Sequence, residues 1–440
     1  MSACGLYATA YAVCPPAARG ELRSQFLLLG RDDAPMVRRA VAQQLGAFAA
    51  SVGDAQAVQS DILPLFAELT QDEQDSVRLL SVDDCARLAR LLPRDACLAS
   101  VLPTMQRFAQ DKSWRVRYSV ASSLKDLCEV LGQPVTNSEL LPAFVRLLRD
   151  QEAEVRIVAA SRVADMCGLV GADAATAHIL PCVKDLAVDA NAHVRSALAC
   201  VLAGAAPTLG REATTEGLLP LFLLLLKDDS ADVRLNVIAR LEALNQVVGP
   251  DALSASLLPA VVALAEDRHW RVRLAIIEYI PALGSQLGMA FFDDRLGALC
   301  LSWLSDSVHA IRAAASANLR RLTEAFGSEW ASQHVVPQVL ALSKTPHYLY
   351  RATMLAAIGE LAPVMGADYT CTHLLPTVLA SAQDRVANIR FAAARLLGAL
   401  TVLLGPSVVA SQVTPCLTEL QTDSDPDVRF HAAKALAAQG

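Results

Sequence analysis

One arginine, repeated, constrains what this 440-residue chain can fold into more than any other feature. It stands at Arg38, Arg78, Arg117, Arg156, Arg195, Arg234, Arg273, Arg312, Arg351, Arg390 and Arg429, so a first step of 40 residues is followed by nine of 39. A fixed period of that size marks an array of stacked supersecondary units rather than a domain around one closed core. Three further positions keep phase with it. Aspartate stands six residues before the arginine in ten of eleven cases, Thr345 being the exception. Proline stands fourteen before it in nine of eleven, with Ser24 and Ala298 in the other two, and glycine stands fifteen after it in nine of ten, Pro93 being the exception.

Each marker has a physical role. Proline lacks an N–H and is tolerated in the first turn of a helix, so segments such as Leu141-Pro142-Ala143-Phe144-Val145-Arg146-Leu147-Leu148 are expected to open there as a helix A. After the aspartate, Val116, Val120, Ala121, Leu124, Leu127, Cys128 and Leu131 recur at three- and four-residue steps, the pattern of a helix B with one buried face. Gly132 is expected to end that helix in the left-handed conformation that satisfies its last carbonyls. A single pair cannot cover its own apolar side, so each repeat must obtain its core from its neighbours. The expected fold is all-α: an α-solenoid of about eleven helical hairpins, forming one domain over residues 1–440. The recurrent residues, Asp111 and Arg117 or Asp267 and Arg273 among them, are read as a structural ladder of hydrogen bonds within and between repeats. Before Arg38 only a partial repeat is expected, preceded by an apolar stretch with Leu6, Tyr7, Tyr11 and Val13.

Composition narrows the function. With 53% apolar but only 5% aromatic residues, the core is one of Leu, Ala and Val, which suits stacked helices. A formal charge of −7 lacks the basic excess that a phosphate backbone demands, so nucleic acid is not an expected partner. The longest apolar run, Leu218 to Leu226, falls well short of the ~20 residues of a membrane span and contains Pro220. The first thirty residues carry Pro15, Pro16, Arg19, Glu21 and Arg23 rather than a secretory pattern, and the expectation is a soluble chain with no membrane partner, cytoplasmic and able to be nuclear. The eleven cysteines, without a CxxC pair, are expected to be reduced and structural.

Nothing in the sequence supplies catalytic chemistry. The phosphate loop GxxxxGK, the GxGxxG turn, the GxSxG elbow and the HExxH pair are all absent. None of the eight histidines is followed by glutamate, which removes the His-Glu ligand pairs that iron hydroxylases built on helical repeats use. The carboxylates of Asp72-Glu73-Gln74-Asp75 and Glu152-Ala153-Glu154 fit solvated turns and helix N-termini. The expectation is a chain that is not an enzyme, with no cofactor, metal or small-molecule substrate.

Binding specificity in a repeat array belongs where the repeats differ, chiefly the A–B turns. Two turns stand out, Asp111-Lys112-Ser113-Trp114-Arg115-Val116-Arg117 and Asp267-Arg268-His269-Trp270-Arg271-Val272-Arg273, which match each other four repeats apart. Tryptophan beside arginine is the composition of a protein-binding hot spot. Trp303 and Trp330 lie at helix positions and are expected in the core.

With these features in view, the sequence resembles the structural A subunits of protein phosphatase 2A, scaffolds of HEAT repeats. The resemblance is carried by Asp33 to Arg39 (DAPMVRR), Asp72 to Leu80 (DEQDSVRLL), Asp111 to Tyr118 (DKSWRVRY), Trp270 to Tyr279 (WRVRLAIIEY) and Val386 to Phe391 (VANIRF). It implies a horseshoe whose last repeats hold the phosphatase catalytic subunit on the turn ridge and whose earlier repeats hold a regulatory B-type subunit. By motif, Trp270, Arg271, Tyr348 and Asn388, within residues 251–440, would fall on the catalytic-subunit side. Pro35, Arg39, Asp75, Ser76, Trp114 and Arg115, within residues 1–250, would fall on the regulatory side. The family has fifteen repeats and this chain aligns from inside the fourth, which weakens the expectation of regulatory-subunit binding. His309 stands where the family has tyrosine, and Lys344-Thr345 where it has Gly-Asp. A karyopherin-like transport receptor or another HEAT-repeat adaptor is the alternative, and a metal-dependent enzyme on a repeat scaffold is a third reading.

Overall fold

The computed structural model describes residues 3–249 and 257–438, and every regular element among them is helical. The chain divides into two compact units, Met1–Gly249 and Pro250–Gly440. Each unit is a run of hairpins in which helix B of one repeat lies along helix B of the next. In the first unit Pro35–Val52 packs on Asp75–Leu91, and that helix packs on Trp114–Leu131. In the second, Trp270–Leu287 packs on His309–Phe326, which packs on Tyr348–Met365. The seven apolar residues expected on the inner face of the Arg117 helix are all buried. Leu141, Ala143, Phe144, Leu147 and Leu148 of the following helix A are buried too. At about 1.5–3 kcal/mol for each fully covered large apolar side chain, this face is what holds neighbouring repeats together.

Two markers act differently from their sequence reading. Helix A does not open at its proline. In the Arg156 repeat it starts directly after Gly132, as Gln133–Val135, widens over Thr136–Leu140 and only then runs as Leu141–Leu148. The wide turn is a π turn, in which the Leu141 N–H donates to the Thr136 carbonyl five residues back. Proline cannot donate the next bond and its ring crowds the carbonyl four residues before it, so a locally widened helix absorbs it. The same turn occurs over Asp293–Gly297, ahead of Ala298, so hairpin packing as well as proline selects it.

The glycines do not adopt the left-handed helical cap. Gly132 sits at φ 80°, ψ 166°, and Gly171, Gly210, Gly249, Gly288, Gly327 and Gly366 have similarly positive φ. Positive φ with extended ψ is a region almost reserved for glycine, and it lets one residue end helix B and start the next helix A. Gly53 alone comes near the expected conformation, at φ 69°, ψ −16°.

The N-terminal repeat is more complete than its sequence suggested. Pro16–Leu29 supplies a full helix A for the Arg38 repeat, and the apolar stretch before it forms a helix, Tyr7–Val13, against Pro35–Val52. Its rings anchor it. Tyr7 lies 5.4 Å from Phe26, Tyr11 lies 5.5 Å from Phe48, and Phe26 stacks on Phe48 at 4.1 Å. Elsewhere helix B is less regular than the period implies: in three successive repeats it breaks six residues after the arginine, at Arg162, Val201 and Arg240.

Ala192–Leu225 is long and apolar enough in composition to cross a membrane, although Gly210 at φ 79°, ψ 175° divides it between a helix B and the next helix A. The eleven cysteines are free, and burial pushes the thiols of Cys128, Cys167 and Cys300 up to about 12. Trp303 and Trp330 are both buried with their indole N–H groups satisfied, by the Ala265 carbonyl at 3.3 Å and the Asp293 carboxylate at 2.9 Å.

Candidate protein-docking ridge

The ridge is built on the arginine ladder. Arg78 shows the pattern: Nε and Nη2 donate to the two carboxylate oxygens of Asp111 in the next repeat, at 2.7 and 2.8 Å, while Nη1 donates to the Asp72 carbonyl of its own turn at 2.6 Å. Asp111 also accepts the Ser113 N–H, which closes the turn that starts the next helix B. The rung repeats as Arg38–Asp72, Arg117–Asp150, Arg156–Asp189 and Arg195–Asp228 in the first unit. In the second unit it repeats as Arg273–Asp306, Arg351–Asp384 and Arg390–Asp423. Asp111 therefore pairs with the preceding arginine, Arg78, while Arg117 holds its carbonyl and reaches on to Asp150. Burial raises the Asp111 carboxyl, but the Arg78 bond, the Ser113 N–H and the nearby charge outweigh it and hold the group below the usual carboxylate range.

Fixing each turn in this way fixes the first residue of every helix B, three positions before the arginine. The sequence-derived site residues, Arg39 apart, occupy that position or the next. Pro35, Asp75, Trp114, Trp270 and Tyr348 are first residues; Ser76, Arg115, Arg271 and Asn388 are second. Trp114 and Trp270 thus begin a helix rather than sitting in the turn before it.

In the first unit, Pro35, Arg39 and Arg115 are exposed and Trp114 is half-buried. Asp75 and Ser76 are half-buried, and the Asp75 carboxylate already accepts the Ser113 hydroxyl at 2.8 Å. In the second unit, Arg271, Tyr348 and Asn388 are exposed and Trp270 is half-buried. Within each unit these residues are successive positions along a row, with exposed His309 between Trp270 and Tyr348 in the second.

The Trp-Arg pairs run against local helix stability. A cation at a helix N-terminus opposes the macrodipole at a cost of about 0.3–1 kcal/mol, and other repeats place Glu154, Asp232 and Asp427 at the same position. The arginines fold back on the rings instead, with the Arg115 guanidinium 4.9 Å from the Trp114 ring and Arg271 5.0 Å from Trp270. A ring held under a cation on a half-exposed helix end is an ordered anchor of the kind that contributes most at protein interfaces.

Three exposed apolar residues beside this row escaped the sequence reading. Met36 is 83% exposed, Tyr118 41% and Phe430 62%. Tyr118 lies one helical turn beyond Trp114, its ring edge-on at 6.3 Å, and Phe430 holds the corresponding position in the Arg429 repeat. Extending the search from the turn to the residue after each arginine would have found the last two, because positions four apart share a helix face. Among the described residues, no group of three His, Cys, Asp or Glu side chains is placed to hold a metal ion.

Comparison with known proteins agrees with this architecture. The family model "PPP2R1A-like HEAT repeat" matches residues 133–210 and the model "HEAT repeat" matches residues 101–131. A probable serine/threonine-protein phosphatase PP2A regulatory subunit of Caenorhabditis elegans is 46% identical over 93 residues, 21% of this chain and 16% of that protein. The A-type protein phosphatase PP2A regulatory subunit of Schizosaccharomyces pombe is 44% identical over 96 residues, 22% of this chain and 16% of its own length. The beta isoform of the human A-type 65 kDa regulatory subunit of serine/threonine-protein phosphatase 2A is 52% identical over 48 residues, 11% of this chain and 8% of that protein. The matched stretches thus span a small part of each relative. Among solved structures, Kap95p superposes with a TM-score of 0.66 at 14% identity, covering 98% of this chain and 57% of that one. Kap121p gives 0.59 at 17% identity, covering 95% and 45%. At that identity the likeness is one of fold alone.

Proposed function

We propose that this chain, built of HEAT repeats and similar in its matched segments to scaffold subunits of protein phosphatase 2A, is itself a non-catalytic scaffold that holds a serine/threonine phosphatase catalytic subunit while coordinating regulatory subunits. The observation that carries the reading is the pair of Trp-Arg helix starts, set on a ladder-braced row where helix stability alone disfavours a cation. Trp270, Arg271, Tyr348 and Asn388 then meet the catalytic subunit; Pro35, Arg39, Asp75, Ser76, Trp114 and Arg115 meet a regulatory subunit. Asp75 contributes least, since its carboxylate is engaged within the array. The reading places the chain in the cytoplasm and nucleus, where such phosphatases act. It is preferred to a transport receptor because the karyopherin likeness is confined to fold, whereas the phosphatase-subunit likeness reaches 44–56% identity over its segments.

The test is a titration in which purified phosphatase 2A catalytic subunit is added to the chain and to a Trp270→Ala, Arg271→Ala variant of unchanged helicity. Loss of two anchors should weaken binding by about 2 kcal/mol, roughly thirtyfold in Kd. Trp114→Ala with Arg115→Ala should leave that affinity alone. An unaltered Kd for the Trp270 variant, or no binding by the parent chain, would overturn the proposal.

A further inference from the structure

Among the described residues, the ladder has a break of definite chemical shape at Arg312. Arg312 is only 5% exposed, and its Nη1 donates to the carbonyls of Asp306 and Ser307 as its equivalents do. The rungs on either side take their carboxylate from the residue 33 positions on, Arg273 from Asp306 and Arg351 from Asp384. Thirty-three positions after Arg312 stands Thr345. With no carboxylate there, Nε turns to the Thr353 hydroxyl at 3.1 Å, and Nη2 has no acceptor among the described residues. Asp306 cannot compensate, because Arg273 occupies it. A nearly buried guanidinium is left without an anion, an arrangement that costs stability unless a negative charge is supplied.

The turn that could supply it is open and basic. Thr345 is half-buried at φ −73°, ψ 139°, its hydroxyl donating to the Leu342 carbonyl, and it is followed by exposed Pro346 and exposed His347. Arg351 Nη1 donates to the Thr345 carbonyl at 2.9 Å, Arg385 Nη2 to the Pro346 carbonyl at 3.3 Å, and Lys344 lies beside them. An extended Thr-Pro dipeptide is the substrate element of proline-directed serine/threonine kinases. A phosphate on that threonine would meet several cations.

We infer that Thr345 is a phosphorylation site whose phosphate takes the place of the missing ladder carboxylate and clamps the Arg312 and Arg351 repeats together. The Thr345 Oγ1 attacks the γ-phosphorus of a nucleoside triphosphate and the Oγ1–P bond forms. The bond to the bridging oxygen breaks, the nucleoside diphosphate leaves with that electron pair, and the hydroxyl proton passes to the kinase base. The phosphothreonine, near −2 in charge, accepts from Arg312 Nη2 as the ladder carboxylates do elsewhere. This inference stands apart from the phosphatase-scaffold reading, since it concerns contacts within the array.

The full-length chain should be incubated with ATP and a proline-directed kinase, the modified residue located by mass spectrometry, and amide exchange compared before and after. Incorporation at Thr345, abolished in Thr345→Ala and in Pro346→Ala, is expected. So is exchange slowed about tenfold in the first turns of His309–Phe326 and Tyr348–Met365, the size of one added charged hydrogen bond. Thr345→Asp, which needs no kinase, should slow the same amides, and Arg312→Gln should accept phosphate without the slowing. Failure to modify Thr345 under conditions that phosphorylate a Thr-Pro control peptide would overturn the inference. Modification that leaves those amides unchanged or faster would overturn it as well.

Discussion

Replacing Asp150 by alanine isolates what one rung contributes. The carboxylate accepts Arg117 Nε at 2.6 Å and Nη2 at 2.9 Å, and its Oδ1 also accepts the Glu152 N–H at 2.9 Å. Both partners are largely covered, Arg117 to 16% and Asp150 to 7% side-chain exposure. Removing the carboxylate leaves the guanidinium bound only to the carbonyls of Asp111 and Lys112. Breaking a covered pair of this kind costs about 3 kcal/mol, most of it the penalty on the arginine left behind. Thr345→Ala at the equivalent position offers the contrast, because Arg312 has no carboxylate to lose and only the bond to the Leu342 carbonyl disappears; its cost should stay below about 1 kcal/mol. A long repeat array does not unfold in a single step, so a global midpoint gives the direction of a change but not the free energy of one rung. Native-state hydrogen exchange reads the local opening of the flanking helices directly, and a loss of 3 kcal/mol corresponds to roughly a hundredfold faster exchange. Equal acceleration by the two substitutions would refute the view that the carboxylates, rather than the turns as such, join the repeats.

Four further outcomes follow from the geometry. Gly132→Ala should cost about 1–3 kcal/mol in native-state hydrogen exchange of the adjoining helices although its added methyl meets nothing within 4 Å, because φ 80° with extended ψ is forced on an L-residue. Gly168→Ala, on an exposed helical position with equally open surroundings, should instead be neutral or stabilising by about 0.5–1 kcal/mol. The ladder also makes the fold acid-labile. Arginine bonds, turn N–H groups and nearby charge hold Asp72, Asp189, Asp228 and Asp384 below the usual range against the pull of burial, and the Arg390 bond above all brings Asp423 down to about 2. Since these folded-state values lie below the unfolded ones, their contribution is full above pH ~4 and is lost as pH falls toward 2, which melting temperature against pH will show. Asp84 behaves in the opposite sense. Burial pushes it up to about 7 against Arg87 and the Gly46 N–H, so its contribution is full at low pH and is lost as pH rises through neutrality. Asp84→Asn should therefore raise the melting temperature at pH 8 and leave it nearly unchanged at pH ~4, where the carboxyl is largely protonated in the unfolded chain as well.

The architecture was legible from residue spacing because a repeat array solves the same packing problem again and again. Val116 through Leu131 announce a one-sided helix, the 39-residue step sets the hairpin, and most of the phased glycines fall at a positive-φ position where other residues are disfavoured. What these residues do at their positions depended on neighbours that the chain's order does not reveal. Pro142 sits inside helix A because a π turn absorbs it, and Gly132 takes an extended positive-φ conformation because the next helix starts at once. Arg117 pairs forward with Asp150 rather than with Asp111, its partner in the motif, since stacking brings the next turn to its guanidinium. The candidate ridge divides in the same way. Trp270 and Arg271 were visible as departures from the repeat, whereas Met36, Tyr118 and Phe430 lie on ordinary helical positions, and their degree of exposure was set by how the helices pack. Local order and period are properties of the chain, but exposure and partner choice belong to the stack, because each repeat meets its own surface only through the repeat beside it.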